Sequence, residues 1–474
     1  MRSMFFLRKA AREVICKAIC IISVMLVLAS SVTGCSWFGS SNNNNATKPS
    51  HKEANPPTPM PTLPPVTNPS VHSAELDMLN NFKAYGYNSD PQINNGLGGL
   101  LINWRYGTDP LQTNVNGGGE TDDASGKALR HDPLTDLRYI HNLWLYKSQN
   151  PGDSSIDSEI ARYTPIIKDE FANAHDQRGW VYDTIADIYA LSHDDFYKDA
   201  MISMAQNYAH TFNPQVGSIY KKGTDGLGAY RVDLVLEAGC ALVQAGTLFN
   251  NDNWVQDGLS TVKFVYDHAY VAQYHTFASQ MGEVLQSDGT VNPHEPFFVG
   301  NSPTQNYTIY GNGLRLGNIS QMVISLLNTY KVTHKQDFLD KATDLLDPLS
   351  LPNNALGLWD TNQGGYFYAV IFQGPSPANP GSIQIDNKRK EAGRQAVMLQ
   401  TFRMADELTN NRYKDMEDRM LDVTLKHIYN PALHGVPYLV NADWSSPKFS
   451  NGTPNNMDTT EAMGATLEAL FSLN

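Results

Sequence analysis

The chain reads as an all-α protein, a closed ring of six helical hairpins, and three observations predict this. Twelve segments carry helical periodicity, and they alternate between two kinds, one amphipathic and charged, the other apolar nearly all round. The links from apolar to amphipathic segments are short, while those in the other direction are mostly long. The long links share glycine–aromatic pieces. A solenoid would show a fixed repeat length. Unequal links suit a toroid whose apolar inner helices run parallel and whose long loops all arrive at their N-terminal end.

Taken in order, 73–85 (SAELDMLNNFKAY) is the first outer segment and 134–147 (LTDLRYIHNLWLYK) the first inner one. The outer segment 157–174 precedes the inner segment 180–192 (WVYDTIADIYALS) across the one short outer-to-inner link. In the outer segment 194–212, Met201, Met204 and Tyr208 recur at three-to-four spacing, the mark of a single buried face. Segment 231–249 (RVDLVLEAGCALVQAGTLF) has little polar face and belongs inside, followed by outer 253–271. Inner 315–330 and outer 336–349 come next, then inner 391–408, outer 412–429 and inner 459–473. The long links are 86–133, 213–230, 272–314, 350–390 and 430–458. The fourth holds DTNQGGYFYAV (360–370), a turn-forming run followed by alternating aromatic and small residues that predicts a short hairpin over the mouth of the ring.

The N-terminal 35 residues read as a targeting segment. Five basic residues and one acidic residue flank a 15-residue apolar run, too short to span a bilayer, that ends in VTGC. This resembles a bacterial lipobox, which makes Cys35 the lipid-modified N-terminus and places the remainder on the extracytoplasmic face of the cell membrane. Residues 36–70, with an asparagine run and eight prolines, read as a disordered, extended tether, leaving 71–474 for the toroid. Loss of the leader takes the formal charge from −13 to −17, which argues against nucleic acid as a partner. Cys240 alone remains in the domain, so no disulfide framework or cysteine zinc site is expected. GGGETDD and DGLGAYRVD lack EF-hand spacing, NPHEP lacks a second ligand pair, and no nucleotide fingerprint appears, so neither metal nor cofactor is expected.

With its alternating helices and WDTNQGGYFYAV followed by KRKEAGRQAVMLQTFRMADELT, the chain resembles the six-hairpin glycosidase superfamily, the (α/α)6 toroids. Within that superfamily the late region is similar to family 76 α-mannanase-like and N-acylglucosamine 2-epimerase-like proteins. The resemblance implies a carbohydrate-active protein. Family 76 enzymes imply an adjacent aspartate pair; the pairs here are Asp122–Asp123 and Asp194–Asp195. The epimerases imply inner-helix histidines, and His141 is the one such residue, which argues against an epimerase.

Side chains in the first turns of parallel inner helices face the central pocket, where unpaired N–H groups gather. Those positions hold Asp132, Asp136, Asp183, Arg231, Asp233, Glu237, Arg315, Lys390, Glu391, Arg394, Asp458 and Glu461. Glycoside cleavage needs one protonated and one ionised carboxyl across the scissile bond. Asp233 and Glu391 are the candidate pair, with Asp183 as the alternative partner. The competing reading is helix capping, strongest for Asp132 (HDPLTD) and Asp458 (MDTTEAM), or a structural ion-pair network through Arg231 and Arg394. Sugar rings pack on aromatic faces, and Trp180, Tyr230, Trp359 and Tyr366, with Arg231, Arg315 and Arg394, are the candidate substrate contacts. The sequence thus predicts a monomeric, lipid-anchored glycoside hydrolase. A sugar-binding protein without catalysis, and a lyase or isomerase on the same fold, stay open.

Overall fold

The computed structural model describes residues 69–474 apart from 90, 92, 105, 108–134, 174–177, 220–229, 282–312, 449–451 and 453–456. Twelve α-helices lie among the described residues. They are α1 (Pro69–Asn81), α2 (Thr135–Gln149), α3 (Asp157–Asn173), α4 (Gly179–Ser192), α5 (Asp195–His210), α6 (Val232–Leu248), α7 (Asp252–Ala269), α8 (Leu316–Thr333), α9 (Gln336–Leu346), α10 (Ala392–Thr409), α11 (Lys414–Val423) and α12 (Thr460–Phe471). The even-numbered helices pack side by side in a closed ring, α2–α4–α6–α8–α10–α12 and back to α2. The odd-numbered helices lie outside, each against an inner neighbour. The fold is the (α/α)6 toroid. Its first helix starts at Pro69, two residues ahead of the expected domain boundary.

Apolar residues all round an inner helix are buried on every side: fourteen of the seventeen residues of α6 are buried, Cys240 among them. The α6–α7 pair approaches closely through glycine. A Cβ on Gly258 would sit 2.6 Å from the carbonyl oxygen of Gly239, so any side chain there would push the helices apart.

The short inner-to-outer links have a common device. His193, His334 and Asn410 follow α4, α8 and α10 at φ of +54°, +54° and +56°, and each returns its N–H to a carbonyl of the last turn. Histidine and asparagine are among the side chains that tolerate this left-handed cap, which reverses the chain in two or three residues.

The long links form a collar. The strands that lead into α6, α8, α10 and α12 each pair, antiparallel, with a different long loop. Tyr230–Arg231 pairs with Gln280–Met281, and Gly313–Arg315 with Ala369–Phe372. Arg389–Glu391 pairs with Leu439–Asn441, and Asp458–Thr459 with Asn103–Trp104 of the first long loop. The last ladder joins the end of the chain to its beginning. The hairpin expected over 360–370 is present, with Trp359 bridged to Tyr366, and its continuation is the central strand of a three-stranded sheet.

Candidate functional site

A cavity of about 280 Å³ lies where the first turns of all six inner helices converge beneath the collar. Thr135, Trp180, Asp233, Gly317, Arg394 and Glu461 line it, one from each inner helix. Seven of the charged residues expected to face the mouth do so: Arg231, Asp233, Glu237, Arg315, Glu391, Arg394 and Glu461.

Most of these carboxylates are held by cations. Arg231 donates to Asp233 through Nε (3.2 Å) and Nη2 (2.5 Å), and Asn318 Nδ2 donates to the same carboxylate. Arg394 Nε donates to Glu391 at 3.2 Å, while its Nη2 pairs with Glu461. The Arg394 charge holds the Glu461 carboxyl below its ordinary range. These are charge-assisted pairs in a partly dry site.

Glu237 differs from them. It is buried, it lines the mouth, and its Oε2 has no hydrogen-bond partner. Desolvation, then the negative charges of Asp233 and Asp183, raise its pKa well above the usual carboxylate value, against the opposing pull of Arg231 and the Trp180 backbone N–H. The start of α4 fits against it only because residue 179 is glycine, whose Cβ would fall 2.1 Å from the Glu237 Cβ. The mouth therefore sets one carboxyl biased toward its protonated form beside carboxyls held by guanidinium groups, a contrast that general acid–base chemistry can use.

Other expectations need correction. Asp183 does not face the mouth. It lies on the far side of Trp180 in a deeper cavity, where Ser325 Oγ (2.7 Å) and Gln244 Nε2 (3.2 Å) donate to it and burial pushes it up to about 6. The cause is geometric, because Asp183 is one turn below the start of α4. Tyr230, Trp359 and Tyr366 are buried packing residues and do not line the mouth. A flanking aromatic in a tight hairpin buries its large apolar face in the nearest core. Trp180, Arg231, Arg315 and Arg394 do line the mouth, joined by Tyr368 and Tyr438.

Asp136 is used structurally, accepting from the Leu100 N–H at 2.7 Å. Lys390 is fully buried against Asp360. Asp458 is buried beside Asn81, and Thr459 rather than Asp458 caps α12. Asp194 caps α5 by accepting from the Phe196 N–H, so that aspartate pair has a helix-end role. Asp132, Asp122–Asp123 and Cys35 lie outside the described residues. Sequence reasoning passed over Arg138, Arg178, Asn318 and Gln321, all lining residues. Asn318 sits two residues after the start of α8 and was missed because only charged first-turn residues were weighed.

No family model matches the chain, and no curated protein matches it. Solved structures do. A heparin-specific unsaturated glucuronyl hydrolase superposes with a TM-score of 0.55 at 14% identity, covering 85% of this chain and 95% of its own. A D-mannose isomerase gives 0.53 at 11% identity, with 87% and 99% covered. An inactive variant of an α-1,6-mannanase from Salegentibacter sp. HEL1_6, in complex with α-1,6-mannotetrose, gives 0.54 at 9% identity, with 85% and 98% covered. At such identities the likeness shows the fold alone, the (α/α)6 toroid expected from the sequence.

Proposed function

We propose that the mouth binds a carbohydrate and cleaves a glycosidic bond, with Glu237 as proton donor and Glu391 as the ionised partner. The carrying observation is Glu237, a buried carboxyl with an unpartnered oxygen, its pKa raised by burial, in a cavity otherwise lined by ion-paired carboxylates. The names of the structural neighbours, two glycoside-cleaving enzymes and a sugar isomerase, support carbohydrate as the substrate class without choosing the reaction. As the C–O bond breaks, the Glu237 proton passes to the leaving oxygen. Glu391 takes the proton of the attacking water or attacks the anomeric carbon itself. Asp233, one turn before Glu237 on the same helix, is a positioning residue whose charge adds to burial in favouring the protonated form of Glu237.

Glu237→Gln is expected to lower kcat on unactivated glycosides by about 100-fold or more while leaving Kd for the substrate similar. It should retain turnover of aryl glycosides whose leaving group needs no proton. Because Glu237 must be protonated, kcat/KM should fall as pH rises through its pKa, and Asp233→Asn should move that limb to lower pH. Full activity of Glu237→Gln on an unactivated glycan would sink the assignment. A second reading, a lyase on an acidic sugar, draws on the guanidinium groups of Arg138, Arg178, Arg231, Arg315 and Arg394 around the mouth. Ultraviolet absorbance from a new C=C bond during turnover of a uronate polymer would decide for it.

The leader reading adds lipid anchoring through Cys35 on the extracytoplasmic face. Cys35→Ser should leave the membrane fraction, and its retention there would refute the anchor.

A further inference from the structure

The axis of the toroid does not close beneath the mouth. Below it lies a second cavity of about 270 Å³, lined by residues from five of the six inner helices and extending into their C-terminal turns. The two cavities share Arg138, Trp180 and Gln321, which form the partition between them. Solvent reaches the deep chamber from the end opposite the collar, since the Asp187 side chain is 57% exposed although it sits inside the inner ring.

Packing alone would fill the axis of a helix ring with apolar side chains. Here Asp183, His141 and Glu468 line it, each more than nine-tenths buried. His141 is engaged on one side only. Its Nδ1 lies 3.1 Å from Glu468 Oε1, and Glu468 also accepts from Arg138 at 2.6 Å. Burial works against ionisation of Glu468, yet Arg138 and His141 together hold its carboxyl below the ordinary range. The other nitrogen, Nε2, has no hydrogen-bond partner and lies 3.8 Å from Asp187 Oδ2. That separation is too long for a direct hydrogen bond and leaves room for a bridging hydroxyl that contacts both.

Cations and carboxyls interleave around the chamber, where Arg138, Lys331 and Arg403 face Asp183, Asp187, Glu407 and Glu468. An anionic ligand meets carboxylates there and a cationic one meets guanidinium and ammonium groups, so neither sign finds a lining of uniform opposite charge. Interleaved donors and acceptors suit groups that both give and take hydrogen bonds, as hydroxyls do. We propose that the deep chamber is a second binding site, separate from the mouth, for one small uncharged polyhydroxylated molecule of about the size of a single sugar ring.

Calorimetric titration of the toroid with millimolar D-glucose, D-mannose, myo-inositol and glycerol tests this. At least one probe should bind and shift the His141 imidazole nitrogen resonances. Asp187→Leu, a change at a half-exposed side chain that spares the fold, should weaken that binding about tenfold or more. Arg231→Met, in the mouth, should leave it unchanged. The proposal is overturned if none of the four probes binds. It is equally overturned if binding survives Asp187→Leu and disappears in Arg231→Met, which would place the ligand in the mouth. Glycoside turnover is read separately, so failure here leaves the role of Glu237 standing.

Discussion

At the scale of single residues, the carboxyls along the toroid axis are sorted by how they are solvated. Asp233 and Glu461 have guanidinium partners, whereas Asp183 has neutral donors only and rises to about 6. A carboxyl whose folded pKa lies above its unfolded value of 3.8 binds more protons when folded. Its contribution to stability is therefore complete at low pH, declines as pH rises between the two values, and stays lost above about 6. Asp183→Asn keeps a neutral acceptor for Ser325 and removes the buried charge. Relative to wild type, the variant should gain stability above pH 7 and show none of this loss between pH 4 and 6. The gain is bounded by about 3 kcal/mol, two pKa units at about 1.4 kcal/mol each. Chemical denaturation at pH 4.5 and 7.5 measures it, and equal wild-type-to-variant differences at the two pH values would contradict the assignment.

At the scale of elements, the 360–370 arm is organised from beneath. Lys390, fully buried, donates to Asp360 (2.9 Å), to the Gly364 carbonyl (2.8 Å) and to the Ala442 carbonyl (2.8 Å). It therefore ties the arm to the next long loop. Trp444 lies over the ammonium at 4.2 Å and returns its indole N–H to the Gln363 carbonyl. Gln395, on α10, accepts from the Tyr366 N–H and donates to its carbonyl. Gly364 and Gly365 turn the chain at φ of +72° and +73°, and a Cβ on Gly365 would lie 2.6 Å from the Trp444 ring. Lys390→Met strands the Asp360 carboxylate and should cost about 3–5 kcal/mol. Adding Asp360→Asn should recover part of that loss. Melting of both variants measures the coupling, and additive losses would show that no latch exists.

At the scale of the molecule, the ring closes through polar contacts as well as packing. Asn81 at the end of α1 accepts from the Trp104 indole (2.9 Å) and donates to Asp458 (2.8 Å), just before α12. Thr460 returns its N–H to the Ile102 carbonyl at 2.9 Å. First helix, first long loop and last helix thus meet at one buried point. Asn81→Ala leaves two buried partners unsatisfied, at about 1–3 kcal/mol each. The loss should appear as a lower Tm with unfolding still in one transition, because the whole ring is weakened together. A separate early transition confined to α12, seen by hydrogen exchange, would show instead that closure is local.

Helix kind, helix order and the asymmetry of link lengths were legible in the amino-acid pattern, since each follows from which faces of a local segment avoid water. The same reasoning found seven charged residues of the mouth, because first-turn positions of parallel helices converge whatever their identity. It misplaced Asp136, Asp183, Lys390, Asp458, Tyr230, Trp359 and Tyr366, and it passed over Glu237 in favour of Asp233 as the partner of Glu391. Each of these depends on a partner distant in the chain: Ser325 for Asp183, Asp360 for Lys390, Leu349 for the Tyr366 hydroxyl, and the start of α4 for Glu237. Periodicity and unequal link lengths were enough to specify a ring of hairpins with a charged mouth. Which carboxyl is driven toward its protonated form rests on the folded arrangement, because desolvation and the nearest countercharge are set by side chains brought together from separate helices.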